Sequence, residues 1–400
     1  MTGPAVSARR QRTRDPVLAA LARTGAATRA ELSRLTGLSR SAVGACVATL
    51  VAEGVLIEAP ADTGMGAGRG RRATTVSLRS APGVLLGIDL GHAHISAACA
   101  TSTGEVLAEC SDQLDVDHRP ERALDLAATL ARRALRASGH SPADVLSAAA
   151  GIPGPLDACT QIVRAPTILS DWVDLEPAAE LARRLGLPVA VGNDADMGAK
   201  GERAFGAARG LDDFLYIKAS HGIGAGLVLA GNTYRGSTGI AGEIGHTQIP
   251  GADNWCRCGS RGCLETVVSI GNVRQQLAHV LTTSGAELSP SRVPPLAELA
   301  GNSAAARVIT DAGRTVGRVV ADLVNCLNPA AIVLGGEIGA GGAPFVSGVR
   351  ESIDRYAQPS SAHAVRVFAG SLGARAELLG TIATAAQALA RSVPTGFVTA

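Results

Sequence analysis

From Val84 onward the chain alternates short apolar runs with helical stretches, and this commits most of its length to an α/β core. Val84-Leu85-Leu86-Gly87-Ile88-Asp89 reads as a buried strand. A hairpin over 94–107 turns at Ser102-Thr103-Gly104, a helix covers 121–137, and a strand from Val145 runs into Gly151-Ile152-Pro153-Gly154-Pro155. A second set opens at Pro188-Val189-Ala190-Val191 and includes the strand Phe214-Leu215-Tyr216-Ile217-Lys218. That strand enters the glycine loop His221-Gly222-Ile223-Gly224-Ala225-Gly226, and Leu227-Val228-Leu229 returns. Strand, glycine loop, strand, turn therefore occurs twice, which predicts two similar lobes facing a cleft. Helices over 304–327 and 374–390, with Ala331-Ile332-Val333-Leu334-Gly335-Gly336 between them, are expected to close the second lobe, the last one being free to return to the first. Aromatic residues make up only 2%, so these cores must be built from Ala, Val, Leu and Ile.

The first eighty residues follow other rules. They hold twelve arginines against five acids, an excess of seven positive charges, whereas residues 81–400 carry an excess of five negative ones. A basic head on an acidic body suits a polyanion-binding module joined to a larger domain. Asp15 is expected to cap a helix with Pro16 in its first turn and Leu18 and Leu21 on one face. Thr28-Arg29-Ala30-Glu31 has capping-box spacing and predicts a helix that buries Leu32 and Leu35 and stops at Gly37. Ser39 then caps a third helix with Val43, Val47, Leu50 and Val51 inward. Two helices joined by Thr36-Gly37-Leu38 are a helix-turn-helix, whose second helix offers its first residues to base edges in the major groove. Those residues are Ser39, Arg40, Ser41 and Gly44, with Arg29 beside them. Two strands, near 55–58 and 75–78, enclose a loop carrying Arg69, Arg71 and Arg72, a wing able to reach phosphates or the minor groove. The expected partner is double-stranded operator DNA, read by two copies on a palindrome as a homodimer or homotetramer.

At 46% hydrophobic and 18% charged residues, disordered and collagen-like classes are excluded, and no apolar run approaches the roughly 20 residues of a membrane span. Arg9, Arg10, Arg12 and Arg14 are followed by no apolar signal core, so a cytoplasmic protein without membrane partners is expected, and eight cysteines in 400 residues suit a reducing compartment.

The strongest chemical signal is His246, Cys256, Cys258 and Cys263, one imidazole and three thiols within eighteen residues. Four soft ligands of this kind suit a closed, tetrahedral, structural zinc (Zn2+) site. Cys46, Cys99, Cys110, Cys159 and Cys326 read as unrelated thiols. Glu243 and Glu265 flank the cluster, and Asn193-Asp194 ends a strand and opens a helix, where cleft residues gather in α/β proteins. Carboxylates plus an amide suit sugar hydroxyls. Singly, Asp194 is equally a helix cap and Glu243 a surface acid.

The segments Gly192-Asn193-Asp194-Ala195, Gly242-Glu243-Ile244-Gly245-His246 and Cys256-Arg257-Cys258-Gly259-Ser260-Arg261-Gly262-Cys263-Leu264-Glu265 resemble those of the ROK family of bacterial sugar kinases and repressors, and the head resembles the repressor branch. The resemblance implies a winged helix-turn-helix followed by an actin-like (ribonuclease H-like), two-lobed sugar-kinase fold. It gives a basic disordered arm over 1–14, a DNA-binding domain over 15–80, one lobe over 81–192 and another over 193–400 that contains the zinc segment. It also implies that Asn193, Asp194, Glu243, His246 and Glu265 contact a sugar or sugar phosphate. In the kinases Asp194 would be the catalytic base, and His246, Cys256, Cys258 and Cys263 would hold zinc. Where those kinases carry Asp-x-Gly-Gly-Thr-Lys, this chain has Asp89-Leu90-Gly91-His92-Ala93-His94, a change that crowds the backbone and removes a hydroxyl. Phosphoryl transfer depends on positioning and charge stabilisation, so a sugar-responsive repressor without kinase activity is expected. The competing readings are an ATP-dependent hexose or N-acetylhexosamine kinase, and a DNA-binding module with no small ligand.

Overall fold

The computed structural model describes residues 13–14, 16–18, 20–21, 24–60, 74–78, 83–157, 160–163, 169–282 and 288–392, and it divides near Gly83 into two compact units.

In the N-terminal unit, Thr28 caps α1 (Arg29–Thr36): its hydroxyl accepts from the Glu31 N–H while the Glu31 carboxylate accepts from the Thr28 N–H. Gly37 ends α1 with φ of 69°, which glycine adopts without strain, and Ser39 caps α2 (Arg40–Ala52). Val17, Leu21, Leu32, Val43, Val47 and Leu50 form the core. Three expectations need correction. Thr13 and Arg14 are already helical, with Arg14 paired to Glu53 at 2.6 Å, so helical residues stand N-terminal to the expected Asp15 cap, itself outside the described residues. Leu35 is 44% exposed, because it falls off the inner face that Leu32 occupies. A strand unread in the sequence, β1 (Ala26–Thr28), pairs antiparallel with β3 (Thr74–Leu78), which also pairs with β2 (Leu56–Pro60). Three residues of Ala-Ala-Thr carry no alternation, so only the partner strand specifies them.

The second unit carries two five-stranded sheets of the same design. The first runs β6-β5-β4-β7-β8, from β4 (Val84–Leu90), β5 (His94–Thr101), β6 (Val106–Gln113), β7 (Val145–Ile152) and β8 (Ala190–Asn193). The other runs β11-β10-β9-β12-β13, from β9 (Phe214–Ala219), β10 (Ile223–Leu229), β11 (Asn232–Tyr234), β12 (Ala331–Gly335) and β13 (Arg366–Ala369). In each, the hairpin strands are antiparallel and the last two join in parallel. The internal echo in the sequence is thus a repeat of sheet design, with β4 and β9 as counterparts.

On the first sheet lie α3 (Pro120–Ala137) and α4 (Pro177–Leu185); the second is backed by α6 (Ile270–Leu281), α7 (Ser303–Leu327) and α8 (Ala343–Tyr356). Between these sets sit α5 (Asp194–Phe205) and α9 (Ala376–Ser392). Leu378, Ile382 and Ala385 of α9 pack on Leu85, Ala98, Ala100 and Ala149, so α9 covers the first sheet and does not simply close the second lobe. The two helices approach backbone to backbone: a Cβ on Gly380 would lie 1.7 Å from the Met197 carbonyl oxygen. Among the described residues, no single helix is long and apolar enough to cross a membrane.

Candidate functional site

The carboxyl ends of β4 and β9 are where an α/β sheet leaves backbone groups and side chains free to meet a ligand. From β4, the buried Asp89 aims Oδ2 at His94 Nε2, 3.1 Å away, and its Oδ1 has no hydrogen-bond partner among the described residues. The His94 ring lies on Gly91, where a Cβ would come within 2.3 Å of it, and the Asp89 bond raises the His94 pKa. His92 binds Asp117 Oδ1 through Nδ1 at 2.7 Å, and Arg257 donates to Asp117 Oδ2 at 3.2 Å. Burial alone would raise the Asp117 carboxyl, but these two partners outweigh it and hold it low. From the end of β9, His221 faces His92 with ring centroids 5.8 Å apart, and burial lowers its pKa, helped by His92.

Asn193 caps α5, accepting from the Ala195 and Asp196 N–H groups, and its amide donates to the Gly154 carbonyl at 3.1 Å. Next to it, the buried Asp194 receives the Lys218 ammonium at 2.6 Å and the Ala195 N–H at 2.7 Å. Burial would discharge Lys218, yet Asp194, Glu377 and Asp89 outweigh it and keep the ammonium charged. Lys218 is an inward charge in an apolar strand, a signal present in Phe214-Leu215-Tyr216-Ile217-Lys218 but not singled out there. Glu377, which accepts from the Tyr216 hydroxyl at 3.1 Å, is pushed up to about 7 chiefly by burial, with Lys218 opposing.

That shift has a measurable consequence. The folded Glu377 holds its proton above the ordinary 4.5, so this contribution to stability is full below about 4.5 and is lost as pH rises through about 7. Glu377→Gln is expected to flatten this slope, on the order of 3 kcal/mol between pH 4.5 and 8, in urea unfolding. An unchanged slope would assign the effect elsewhere.

The segment after β11 builds the second cluster. Gly242, at φ of 101°, and Gly245 lie against the Ala225 and Ile223 carbonyls, where a Cβ would come within 2.0 and 2.4 Å. This seats His246 beside the Cys256–Gly259 turn. The ligand atoms of His246, Cys256, Cys258 and Cys263 all lie within 4.8 Å of one another, a group that could hold a metal ion. Cys258 and Cys263 sulfurs are 3.7 Å apart, and Cys256 Sγ is 3.6 Å from His246 Nδ1. His246 Nε2 faces Glu243 at 3.8 Å, and Glu265 Oε1 accepts from the Cys256 thiol at 3.1 Å. Burial, with Asp194, Glu265 and Asp196, pushes Glu243 up to about 7. A Cβ at Gly222 would lie 3.4 Å from Glu265 Oε2 and 3.9 Å from His92 Nε2, so the glycine loop after β9 separates the two. Asp194, Glu243, Glu265 and His246 thus gather at one end of the cleft, while the amide oxygen of Asn193 is spent on capping.

In the N-terminal unit, Arg40 and Ser41 are exposed on the first turn of α2, Ser39 accepts from the Ala42 N–H at 3.2 Å, and Gly44 opens onto free space. Arg29 is paired with Glu58 at 2.6 Å. Arg34, not singled out in the sequence, lines a concavity with Ala30, Glu31, Ser33 and Arg40. Arg69, Arg71 and Arg72 lie outside the described residues.

Fold and site together define a helix-turn-helix unit followed by a two-lobed sugar-kinase fold. The ROK family model matches residues 85–388 and an IclR helix-turn-helix domain matches 16–58; the chain belongs to the ROK family. It is 28% identical to a xylose repressor of Caldicellulosiruptor bescii over 368 residues, covering 89% of this chain and 90% of that one. It is 31% identical to a glucokinase of Halalkalibacterium halodurans over 312 residues, covering 74% and 92%. Among solved structures it matches a ROK family transcriptional regulator, described as a homologue of the E. coli MLC protein, with a TM-score of 0.71, 25% identity, and coverage of 95% and 97%.

Proposed function

We propose that the protein is a sugar-responsive, DNA-binding repressor whose cleft binds a sugar or sugar phosphate and thereby alters operator affinity. The observation that carries this reading is the joining, on one chain, of a helix-turn-helix to a ROK cleft whose first glycine loop is covered by its own histidine. With His94 lying on Gly91 and Lys218 committed to Asp194, the cleft keeps groups for hydroxyls and offers little to a nucleotide phosphate. Asp194, Glu243, Glu265 and His246 are the proposed sugar contacts, joined by the second amide hydrogen of Asn193. Ser39, Arg40, Ser41 and Gly44 would read bases, while Arg29, Arg69, Arg71 and Arg72 would meet phosphates, in two copies on a palindromic operator in the cytoplasm.

His246, Cys256, Cys258 and Cys263 are the proposed zinc ligands. Bonds of about 2.3 Å to sulfur and about 2.05 Å to nitrogen, at the tetrahedral angle, place two sulfurs about 3.8 Å apart and sulfur and nitrogen about 3.6 Å apart. The observed 3.7 and 3.6 Å agree with these spacings. With four protein ligands the ion would be structural, fixing the turn that carries Glu265 and leaving His246 Nε2 oriented by Glu243.

The test is a gel shift on the protein's own upstream DNA, titrated with D-xylose, D-glucose and their phosphates, beside an assay for ADP release. A change in operator affinity of about 5- to 150-fold with one of them is expected, without ATP turnover. Asp194→Asn should weaken the response. Operator binding indifferent to every sugar, or sustained ADP release, would overturn the reading.

A further inference from the structure

Two residues, one from each lobe, meet directly. Asp117 lies in the loop between β6 and α3 of the first lobe, and Arg257 stands between Cys256 and Cys258 of the segment that follows β11 in the second. The Arg257 guanidinium donates to Asp117 Oδ2 at 3.2 Å, and His92, from the first glycine loop, takes Oδ1 at 2.7 Å. Both carboxylate oxygens are thereby used, on a side chain only 10% exposed. The same loop is sewn to the glycine loop by backbone, with the Leu114 N–H donating to the Ala93 carbonyl at 3.1 Å and the Val116 N–H to the His92 carbonyl at 3.0 Å. Trp172 adds a third anchor, its indole N–H donating to the Val116 carbonyl at 2.9 Å.

We infer that Asp117 and Arg257 form a tie across the cleft, with His92 as its brace, and that the tie holds the two lobes together at the carbohydrate end. Charge-assisted bonds to a buried carboxylate are the strong kind; here the carboxylate is buried while the Arg257 side chain is 59% exposed. Asp117 is fixed by its neighbours' backbone bonds. Arg257 has cysteines of the candidate metal cluster on either side, so the order of that cluster decides whether its guanidinium is presented. Arg257 and Asp117 are therefore positioning residues: they touch no sugar, and they set the spacing at which Glu265 and Glu243 face Asp194. The tie also joins the metal segment to the first glycine loop, so loosening either end should be felt at the other.

Hydrogen exchange on the full-length protein tests this. Arg257→Ala and Asp117→Asn are each expected to lower protection of the Leu114 and Val116 amides about tenfold while leaving Leu215 in β9 unchanged. The double variant should be no worse than Asp117→Asn alone, because the Arg257 bond ends on that carboxylate. Arg257→Lys should recover part of the protection. Metal content, read by mass spectrometry, is expected to stay at the wild-type level in all of them. If Arg257→Ala loses metal, Asp117→Asn, which leaves the cysteine segment untouched, decides the question. Protection unchanged in Asp117→Asn, losses that add in the double variant, or losses spread evenly into β9 would each overturn the tie.

Discussion

Cys263→Ser is expected to lower the melting temperature of the second unit by ~10 °C and to remove bound metal, with exchange protection lost over 246–265. The expectation rests on how little else holds this segment. Cys263 is fully buried and Cys256 nearly so, and Ile249 and Leu264 anchor the segment's ends in the second lobe's core, yet between them lie mostly glycines, polar groups and the 68%-exposed Trp255, which Arg261 stacks on at 3.9 Å. Two isolated bridges, Gln248 to Cys263 and Trp255 to Arg261, are its only β-pairings among the described residues. A segment without a core needs a metal or a disulfide as a staple, and its cysteines are free thiols. Loss of one ligand should therefore cost several kcal/mol, more than a cavity of the same size. A chelator should act on wild type as the substitution does, and have no further effect on Cys263→Ser. Unchanged melting with chelator present would sink the zinc assignment without touching the fold.

Arg40→Ala is expected to weaken operator binding about 5- to 150-fold while leaving the melting temperature unchanged, since a single base-reading arginine contributes roughly 1–3 kcal/mol. Arg40 is the first residue of α2, exposed and free of any ion pair among the described residues. Ser39 offers the contrast. Its hydroxyl caps α2, so Ser39→Ala should reduce both binding and stability, the latter by about 1 kcal/mol. Arg29→Ala should reduce affinity on any sequence and flatten its salt dependence by about one unit, the signature of a phosphate contact. Fluorescence anisotropy at several salt concentrations separates these outcomes. Equal loss on operator and random DNA for Arg40→Ala would remove it from the base-reading set.

Local chemistry was legible before any coordinates. The Thr28 box, the Gly37 stop and the Ser39 cap are short-range hydrogen bonds and dihedral preferences, complete within four or five residues, and they stand in the structure where the spacing puts them. The buried strand at 84–90 and the long helix over 303–327 follow equally from apolar periodicity. The four candidate ligands, spread over only eighteen residues, needed no long-range information to be grouped.

Other features depended on what arrives from far along the chain. No rule of spacing brings Lys218 to Asp194 or Arg257 to Asp117, because each partner is chosen by the packing of two sheets that are built separately. The same holds for β1, whose Ala-Ala-Thr becomes a strand only because β3 lies beside it, and for α9, which reaches across to Leu85 and Ala149. Residue identity and short periodicity thus settled which elements exist and which side chains could do chemistry. Burial and charge, which are properties of the packed whole, decided which of those side chains are committed to one another and which are left facing the cleft.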